Sequence, residues 1–409
     1  MDYDSFINEH INDDTAALRL ALAGKDLGFD IADAILQIDA RRKFSRKLPD
    51  TLAAFPALRF PSMLAGEQST SDRLAAYHAS LIPAGASVID LTAGLGIDAL
   101  HLARRADRVT AIERQKPLAD ALHHNAAGLG IDNLTVVCSD CRDFIERCKA
   151  DGRRFDIAFI DPARRAADGS RTYAIADCEP DVKAILPDIA RICRRLIVKA
   201  SPMIDIMATT TYLSIEPARI IALGTPAECK ELIFDIPLDA PVDTPAEYSA
   251  VTLRSDDESV YSFTRGRELD CPTAPTTPAI AAGDSLFEPY PAVMKLGPWR
   301  LLAADFGLRA ISAGTHLYYN KETAPDFPGR SFHVIEVLPY ASRIIKRFAR
   351  QHPVAEVAVR NFGMTADDLR RRLGVRDGAD AIRVYGITDP SSTRHLILTT
   401  PQPAPSPNT

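Results

Sequence analysis

Short apolar runs alternate with stretches of helical periodicity in the middle of the chain, from about residue 81 onward. Five of these runs are short enough to be buried strands: SVIDLTAG, RVTAIER, LTVVCSD, FDIAFIDP and RLIVKAS. The segments between them repeat apolar residues every three or four positions, which predicts helices. This alternation predicts βαβ units, and hence a parallel sheet with helices on both faces.

Two further strands and a hairpin are predicted next. ARIIALG and KELIFDI are separated only by TPAEC. That link is too short for a crossover helix, so the second strand is predicted to run antiparallel to the first. AEYSAVTLR and SVYSFTR predict an added hairpin.

The segments on either side of this region have different sequence patterns. Near the start, TAALRLALAG and DIADAILQIDARRKF show the apolar spacing of helices. Five prolines between residues 270 and 291 mark a linker. The predicted organisation is a helical domain over 1–80, an α/β domain over 81–268, a linker over 269–291, small α+β units over 292–338 and 339–400, and a disordered tail over 401–409.

The overall composition is that of a globular protein. The chain has 409 residues, of which 46% are hydrophobic and 25% charged, and chains of this length form several domains. No apolar run reaches the roughly 18–20 residues that a membrane helix requires. The start, MDYDSFINEHINDD, has no apolar signal segment. These features argue against a membrane protein and predict a cytoplasmic location.

Cysteine spacing and charge distribution bear on whether the protein binds a metal ion or a polyanion. The seven cysteines form no paired CxxC framework, and Cys138 and Cys141 flank a predicted strand-to-helix turn, so no metal site is expected. The net charge is −6, yet residues 340–400 hold eleven Lys or Arg against six Asp or Glu. This local excess favours a polyanionic partner, although solvated helix faces produce such balances as well.

The stretch VIDLTAGLGIDAL, residues 88–100, combines a predicted strand, a glycine-rich turn and a helix. Backbone N–H groups at such a turn face a ligand, and Gly94 and Gly96 let it approach the main chain closely. S-adenosylmethionine (SAM) and dinucleotides both bind to loops of this kind. Gly94, Gly96 and Ala99 also satisfy a loose GxGxxA dinucleotide pattern, so the loop alone leaves both ligands open.

Acidic residues at three strand ends separate the two ligands. Asp90 ends the first strand, where its carboxylate would repel a pyrophosphate but suits the sulfonium and amino groups of SAM. Glu113 ends the second strand and can accept both ribose hydroxyls. Asp140, followed by Cys141, ends the third strand and can accept the adenine amino group. Each acid alone could be a helix N-cap, but the ends of parallel strands meet in one crevice, so the set favours SAM over NAD.

The fourth strand ends in DPARR, residues 161–165. Asp161 and Pro162 resemble the (D/N)PP(Y/F/W) motif of class I SAM-dependent methyltransferases, in which the acid and the proline carbonyl accept hydrogen bonds from an exocyclic amine. Ala163 and Arg164 depart from that motif, so no aromatic residue follows to stack on a base. A strand followed by a turn and a capped helix is the structural alternative.

The DPxR ending also resembles that of the 5-methyluridine enzymes. Those enzymes need a cysteine nucleophile after the fifth strand, and KASPMID, residues 199–205, contains none. Covalent chemistry at C5 of uracil is therefore disfavoured.

A narrower resemblance covers most of the chain. The N-terminal helices, GEQSTSDRLAAYHA before the first strand, DLTAGLGIDA, DPARR and a C-terminal RNF together resemble a bacterial class I methyltransferase family with a THUMP-like C-terminal domain. The resemblance implies a Rossmann-like seven-stranded sheet over 81–268, a ferredoxin-like unit over 292–338 and a THUMP-like domain over 339–400. Because THUMP domains help to place structured RNA, it also implies RNA as a partner.

The resulting hypothesis is a SAM-dependent methyltransferase that acts on a base nitrogen of structured RNA, either rRNA or tRNA. Its candidate catalytic residues are Asp161 and Pro162. Its candidate cofactor-binding residues are Gln68, Thr70, Asp90, Thr92, Gly94, Gly96, Glu113, Asp140 and Cys141. Its candidate substrate-binding residues are Arg164, Arg165, Lys199 and Arg360. A binding module for SAM or RNA without turnover is one alternative, and an NAD-dependent oxidoreductase is another.

Overall fold

The computed structural model describes residues 2–164, 174–239, 244–277, 279–378 and 382–402. The chain forms two compact units. The first consists of Met1–Pro217 and Phe234–Val242, and the second of Ala218–Ile233 and Asp243–Thr409. Each unit has its own arrangement of helices and strands, and the two are described in turn.

The first unit begins with a layer of short helices, as the periodicity predicts. Aspartate and serine side chains cap several of them; Asp30, for example, accepts hydrogen bonds from Ala32 N and Asp33 N. Phe6, Ile7, Ala34 and Ile38 form a small buried core in this layer. The helices are α1 (Tyr3–Glu9), α2 (Thr15–Ala21), α3 (Ile31–Phe44), α4 (Pro49–Ala54), α5 (Met63–Gln68) and α6 (Asp72–Ser80).

A parallel sheet with intervening helices follows in the same unit. Its strands β1 (Ser87–Asp90), β2 (Arg108–Glu113), β3 (Leu134–Cys138), β4 (Phe155–Ile160) and β7 (Cys193–Ala200) run in the order β7-β4-β1-β2-β3. All four neighbouring pairs are parallel. The helices are α7 (Ile97–Ala103), α8 (Lys116–Gly128), α9 (Cys141–Ala150), α10 (Val182–Ile192) and α11 (Ile206–Leu213). The two-residue strands β5 (Ala163–Arg164) and β6 (Cys178–Glu179) form a separate antiparallel pair.

The order of the parallel strands reverses at β1. Strand β1 pairs with β2 on one side and with β4 on the other, so successive strands are added first in one direction and then in the opposite one. In open α/β sheets the crevice outside the carboxyl ends of the strands at such a switch point is where ligands bind. Asp90 ends β1 and Asp161 follows β4, so both lie at that point.

The sheet has more strands than the seven that the sequence predicts. The second unit contains β8 (Arg219–Gly224), β10 (Glu247–Leu253) and β11 (Glu258–Thr264), and β9 (Cys229–Pro237) is divided between the units. Nine strands follow the order β11-β10-β8-β9-β7-β4-β1-β2-β3. The difference arises from the predicted hairpin, which β10 and β11 form. Because β10 also pairs in parallel with β8, the hairpin belongs to the same sheet.

The remainder of the second unit contains a seven-stranded sheet in the order β13-β14-β12-β15-β18-β17-β16. Its strands are β12 (Ser285–Pro289), β13 (Arg309–Ala310), β14 (Tyr318–Asn320), β15 (Gly329–Pro339), β16 (Ala355–Arg360), β17 (Ile382–Thr388) and β18 (Arg394–Pro401). The helices are α12 (Arg265–Asp270), α13 (Pro291–Leu296), α14 (Trp299–Asp305), α15 (Ser342–Gln351) and α16 (Ala366–Leu373).

This sheet contains a strand from the expected linker together with strands from both small units expected from the sequence. Strand β12 lies within the proline-rich segment but is fully buried and pairs with β14 and β15. Pro289 is the last residue of β12, and the other four prolines of the segment precede or follow the strand. Strand β15 ends at Pro339, at the expected boundary between the two small units, and pairs with both β12 and β18, so it joins the two halves of the sheet. Across the described ranges, no helix is both long and apolar enough to span a membrane.

Candidate active site

A cleft lies at the switch point of the first unit's sheet. Three segments line it: the end of α5 with the residues after it, the loop that follows β1, and the end of β4. Leu118 of α8 and Phe159 of β4 supply apolar surface. Seven candidate residues from the sequence therefore line one cleft, namely Gln68, Thr70, Asp90, Thr92, Gly94, Gly96 and Asp161.

The loop after β1 needs its two glycines for different reasons. Both adopt the left-handed backbone conformation, with φ of +57° at Gly94 and +87° at Gly96. A Cβ on Gly96 would lie 2.1 Å from the side chain of Leu122, so this glycine lets α8 pack closely against the loop. A Cβ on Gly94 would meet nothing within 4 Å. Gly94 thus leaves the main chain open to a ligand in the cleft.

Asp90 is a buried carboxyl group at the end of β1. Only 2% of the residue is exposed, and its Oδ1 accepts a hydrogen bond from Thr92 N at 3.0 Å. Burial, helped by the nearby carboxylates Asp98 and Asp161, raises the pKa of Asp90 to about 8. The hydrogen bond from Thr92 N and the charge of Lys199 oppose this rise. A cationic ligand group beside Asp90 would favour its ionised form.

Glu113 holds the glycine loop in place from the neighbouring strand. Its two carboxylate oxygens accept hydrogen bonds from Gly94 N at 2.9 Å and from Gln115 N at 2.7 Å. Glu113 is buried at the end of β2 and does not itself line the cleft. Each oxygen retains acceptor capacity for a further donor.

Asp140 and Cys141 lie outside the lining of the cleft. Asp140 caps α9 by accepting a hydrogen bond from Arg142 N at 2.8 Å, which is the structural role that the sequence leaves open. Cys141 is buried, and burial raises the pKa of its thiol to about 11. Their proposed contact with an adenine ring therefore rests on the sequence pattern.

Lys199 connects Asp161 to a network of buried polar groups. The register that pairs Ile160 with Val198 places the next residues of β4 and β7 side by side. As a result, Lys199 Nζ lies 2.8 Å from Asp161 Oδ2 and 3.2 Å from Asp98 Oδ2. Lys199 also donates to Thr70 Oγ1 at 2.9 Å. Its side chain is only 7% exposed, whereas that of Asp161 is 46% exposed, so Lys199 supports Asp161 from beneath the cleft.

Asp98, which also lines the cleft, and His78 continue this network. Asp98 Oδ2 accepts a hydrogen bond from Thr70 Oγ1 at 2.5 Å, and Asp98 Oδ1 lies 2.7 Å from His78 Nδ1. Although burial opposes ionisation, Lys199 and His78 hold the pKa of Asp98 well below its usual range. Sequence reasoning passes over both residues. Asp98 had a usable signal, since it stands in the first turn of the helix after the glycine loop, whereas His78 had none because its partner is recognisable only in the fold.

The structure describes only some of the remaining candidate residues of the DPARR motif. Pro162 is buried. The backbone of Arg164 pairs with Cys178 in the β5–β6 pair. The side chain of Arg164 and the whole of Arg165 lie outside the described residues.

Arg360 lies in the second unit, at the end of β16. Its Nη2 donates to Glu288 Oε1 at 2.6 Å. The same carboxylate also pairs with Arg383 at 3.1 Å and accepts a hydrogen bond from Tyr385 at 3.0 Å. Phe362, the last residue of the RNF segment, is buried in a hydrophobic core. The segment therefore has a structural role in addition to any role in binding. Over the described residues, no group of three or more His, Cys, Asp or Glu side chains could hold a metal ion.

Three protein families match separate segments of the chain. Residues 329–401 match the family described as THUMP domain-like, and residues 286–328 match a ferredoxin-like domain. Residues 74–172, which include most of the cleft, match the family described as conserved hypothetical protein 95. The C-terminal resemblance predicted from the sequence is confirmed by the first of these matches.

One solved structure is similar over nearly the whole chain. It is the crystal structure of a putative methyltransferase from Porphyromonas gingivalis W83, with 28% sequence identity, a TM-score of 0.87 and coverage of 98% of both chains. The predicted Rossmann-like α/β fold is thereby confirmed as that of the class I methyltransferases, apart from the number of strands.

Curated relatives match shorter segments. A 23S rRNA (uracil(1939)-C(5))-methyltransferase, RlmD, from Photobacterium angustum is 35% identical over 88 residues, which are 22% of this chain and 40% of that protein. A tRNA/tmRNA (uracil-C(5))-methyltransferase from Sodalis glossinidius is 28% identical over 121 residues, 27% of this chain and 32% of that protein. The chain thus spans less than half the length of these relatives.

Proposed function

We propose that the protein is a SAM-dependent methyltransferase that acts on RNA. The observation that carries this proposal is that the glycine loop, Asp90 and Asp161 line one cleft at the switch point of the sheet. The first two suit the cofactor, and the third suits a substrate that approaches the same cleft. The class of fold and the RNA-modifying relatives support the same assignment.

The described residues fit SAM as the ligand of this cleft. Gly94 opens the main chain to a ligand, and burial raises the pKa of the Asp90 carboxyl, so an amino or sulfonium group beside it would stabilise its charged form. Thr92, Gly96, Gln68 and Thr70 would complete the pocket. Glu113, Asp140 and Cys141 would contact the ribose and the adenine. When bound, SAM would supply an electrophilic methyl group.

The substrate side of the cleft would be formed by Asp161 and Pro162. We propose that the Asp161 carboxylate and the Pro162 carbonyl accept hydrogen bonds from an N–H group of a base, so that its nitrogen faces the methyl group. The nitrogen–carbon bond would form as the carbon–sulfur bond breaks, and the nitrogen would then lose a proton to water. Lys199 fixes the Asp161 carboxylate by a 2.8 Å ion pair. Catalysis would come chiefly from this alignment.

The choice of a base nitrogen rather than C5 of uracil depends on the cysteines. The two curated relatives named above are uracil-C5 enzymes by description, and covalent C5 chemistry needs a thiolate near the substrate. The segment at the end of β7 and after it, residues 199–205, contains no cysteine. Cys193, at the opposite end of β7, is buried, and burial raises the pKa of its thiol to about 12. These facts support methylation of nitrogen.

Nucleoside analysis tests the proposal. The full chain is incubated with SAM and with RNA from cells that lack the protein. The RNA is digested to nucleosides, which are separated by liquid chromatography against methylated standards and identified by mass spectrometry. We expect a methylated base nitrogen. A 5-methyluridine product would overturn the choice of nitrogen, and tight NAD binding without SAM binding would overturn the proposal as a whole.

Asp161→Asn separates the enzyme from a binding module without turnover. We expect the rate of methyl transfer to fall on the order of 100-fold, because alignment of the substrate is lost, while the Kd for SAM measured by calorimetry stays within about threefold. Asp151→Asn, which alters an exposed acid at the end of α9 outside the cleft lining, is the matched control. The absence of an aromatic residue after Pro162 favours the binding module as the second candidate, and binding of SAM and RNA without any transfer would establish it.

A further inference from the structure

Helix α15, Ser342–Gln351, divides its residues cleanly between two faces. Phe348 is buried in the hydrophobic core of this part of the second unit, and Ile344, Ile345 and Ala349 pack against that core. The other face carries four exposed cations, Arg343, Lys346, Arg347 and Arg350. Their spacing of three, four and seven positions places them on one side of the helix.

These four cations have no anionic partner among the residues that the structure describes. Over the described parts of the chain, none of them forms an ion pair or a side-chain hydrogen bond, and α15 itself contains no acid. The side chains therefore project a positive charge that no described acid neutralises. We call Arg343, Lys346, Arg347 and Arg350 the α15 basic face.

Helix α16, Ala366–Leu373, has three consecutive arginines but a different electrostatic character. Arg370 pairs with Asp367 at 2.8 Å and Arg371 with Asp368 at 2.5 Å. Arg372 donates to the hydroxyl of Tyr340 at 3.3 Å. Two of its three arginines are thus neutralised by acids on the preceding turn. The positive balance of residues 340–400 is consequently concentrated on α15.

From this contrast we infer that the α15 basic face is the docking surface for the phosphate backbone of RNA, an inference that rests on the proposed function. Arg343 and Arg350 are about 10 Å apart along the helix axis, over which a nucleic-acid strand presents about three phosphates. Arginine forks match phosphate oxygens, and contacts of this kind position RNA without reading its sequence. The helix also lies in the segment that matches a THUMP domain.

An anionic membrane is a poorer fit than RNA for the same charges. An interfacial helix buries its apolar face among lipid chains. In α15 that face is already occupied, because Phe348 is only 1% exposed and its neighbours pack on the core. A helix in this position can offer charge to a partner but no apolar anchor.

Two triple variants of the full chain test the inference, and each removes three arginines. One is Arg343→Gln with Arg347→Gln and Arg350→Gln on α15; the other is Arg370→Gln with Arg371→Gln and Arg372→Gln on α16. The probe is a fluorescein-labelled 30-nucleotide RNA hairpin, titrated at several KCl concentrations. Glutamine keeps a helix propensity close to that of arginine, and thermal unfolding checks that both variants fold.

We expect the α15 variant to bind the hairpin on the order of tenfold or more weakly at low salt. The slope of log K against log salt should fall by about 2 to 3, because each lost phosphate contact removes roughly 0.7–0.9. The α16 variant should change affinity by less than about threefold. Equal losses in both variants, or no loss in the α15 variant, would overturn the inference. Binding to vesicles with 30% phosphatidylserine, with no binding to the hairpin, would overturn the choice of RNA.

Failure of this inference can be told apart from failure of the proposed function. SAM binding by calorimetry depends on the first unit's cleft, and both triple variants should retain it. Loss of hairpin binding on α15 in a protein that methylates no RNA would support the docking surface and refute the enzyme. Full methylation by the α15 variant, at unchanged affinity for the hairpin, would support the enzyme and refute the docking surface.

Discussion

The charged residues at the cleft and those on α15 differ in burial and in pairing. At the cleft, the buried Lys199 and His78 each contact Asp98, so the charge of Asp98 is compensated inside the protein. On α15, Arg343 and Arg350 are exposed and have no acidic partner among the described residues. The first set holds other groups in position, and the second is available to an external partner.

This difference has an energetic basis. A buried charge is stable only beside its partner, so removal of one member leaves the other without compensation at a high cost. Exposed charges are solvated and screened by salt over about 8–10 Å, so each contributes little to stability. The same exposure lets them release counterions from a nucleic acid on binding. Substitutions in the buried network should therefore be measured by their effect on stability, and substitutions on α15 by their effect on the salt dependence of RNA binding.

The largest expected effect is on stability, from Lys199→Met. Without this cation the buried Asp98 loses a main partner, and we expect urea denaturation to show a loss of about 3–5 kcal/mol in the free energy of unfolding. Lys230→Met is the matched control, because Lys230 pairs with the exposed Glu228, and it should cost about 0–1 kcal/mol. Adding Asp98→Asn to Lys199→Met should restore part of the loss. Similar losses for Lys199→Met and Lys230→Met would remove the distinction between the two regions.

A pH-dependent effect of intermediate size is expected at Asp90. Its pKa in the folded protein is about 8, above the value of about 4 in an unfolded chain. Between these values the folded state binds a proton that the unfolded state does not, so this group makes stability fall as pH rises from about 4 to 8. We expect Asp90→Asn to reduce that fall by about 1–3 kcal/mol, measured by urea denaturation across the pH range.

The same carboxyl should make cofactor binding pH-dependent. Because a cationic ligand favours ionised Asp90, calorimetry should show SAM binding more tightly at pH 8.5 than at pH 6, and Asp90→Asn should weaken binding and remove most of this dependence. A wild-type affinity that is equal at both pH values would mean that Asp90 does not contact a cationic group of the ligand.

The smallest expected effect is from Arg350→Gln on α15. Stability should change by less than about 0.5 kcal/mol, whereas the salt slope for the RNA hairpin should fall by roughly 0.7–0.9. Arg371→Gln, which breaks an ion pair within α16, serves as the control and should leave the slope unchanged. A larger effect on stability than on the slope would place Arg350 among the structural charges.

The sequence predicts the cleft better than it predicts the support beneath it. Asp90, Gly94 and Asp161 follow from one rule, that the ends of parallel strands meet at the same edge of a sheet, and all three line the cleft. Lys199, at the end of the fifth strand, follows from the same rule, and Asp98 stands in the first turn of the helix after the glycine loop. That Lys199 and His78 both contact Asp98 depends on three separate elements meeting, which no local pattern reports. The strand count was too low because pairing of a hairpin with β8 is a tertiary event.

The C-terminal region shows a similar division between local and tertiary information. The acids that neutralise Arg370 and Arg371 stand three positions earlier, a spacing that is visible in TADDLRRRL. The α15 basic face is also visible as helical spacing in SRIIKRFARQ, but its lack of partners required the fold. Strand β12 could not be foreseen because the prolines around it indicate a linker, whereas its burial depends on β14 and β15.

The division of β9 between the two units has consequences for folding during translation and for proteolytic cleavage. The polypeptide passes from the first unit to the second after residue 217, returns after residue 233, and leaves again after residue 242. No single cleavage can release either unit as a complete chain. During synthesis the first unit lacks a segment until residue 242 has left the ribosome, after part of the second has already been made. Its folding is therefore tied to the order of translation in a way that two domains in tandem avoid.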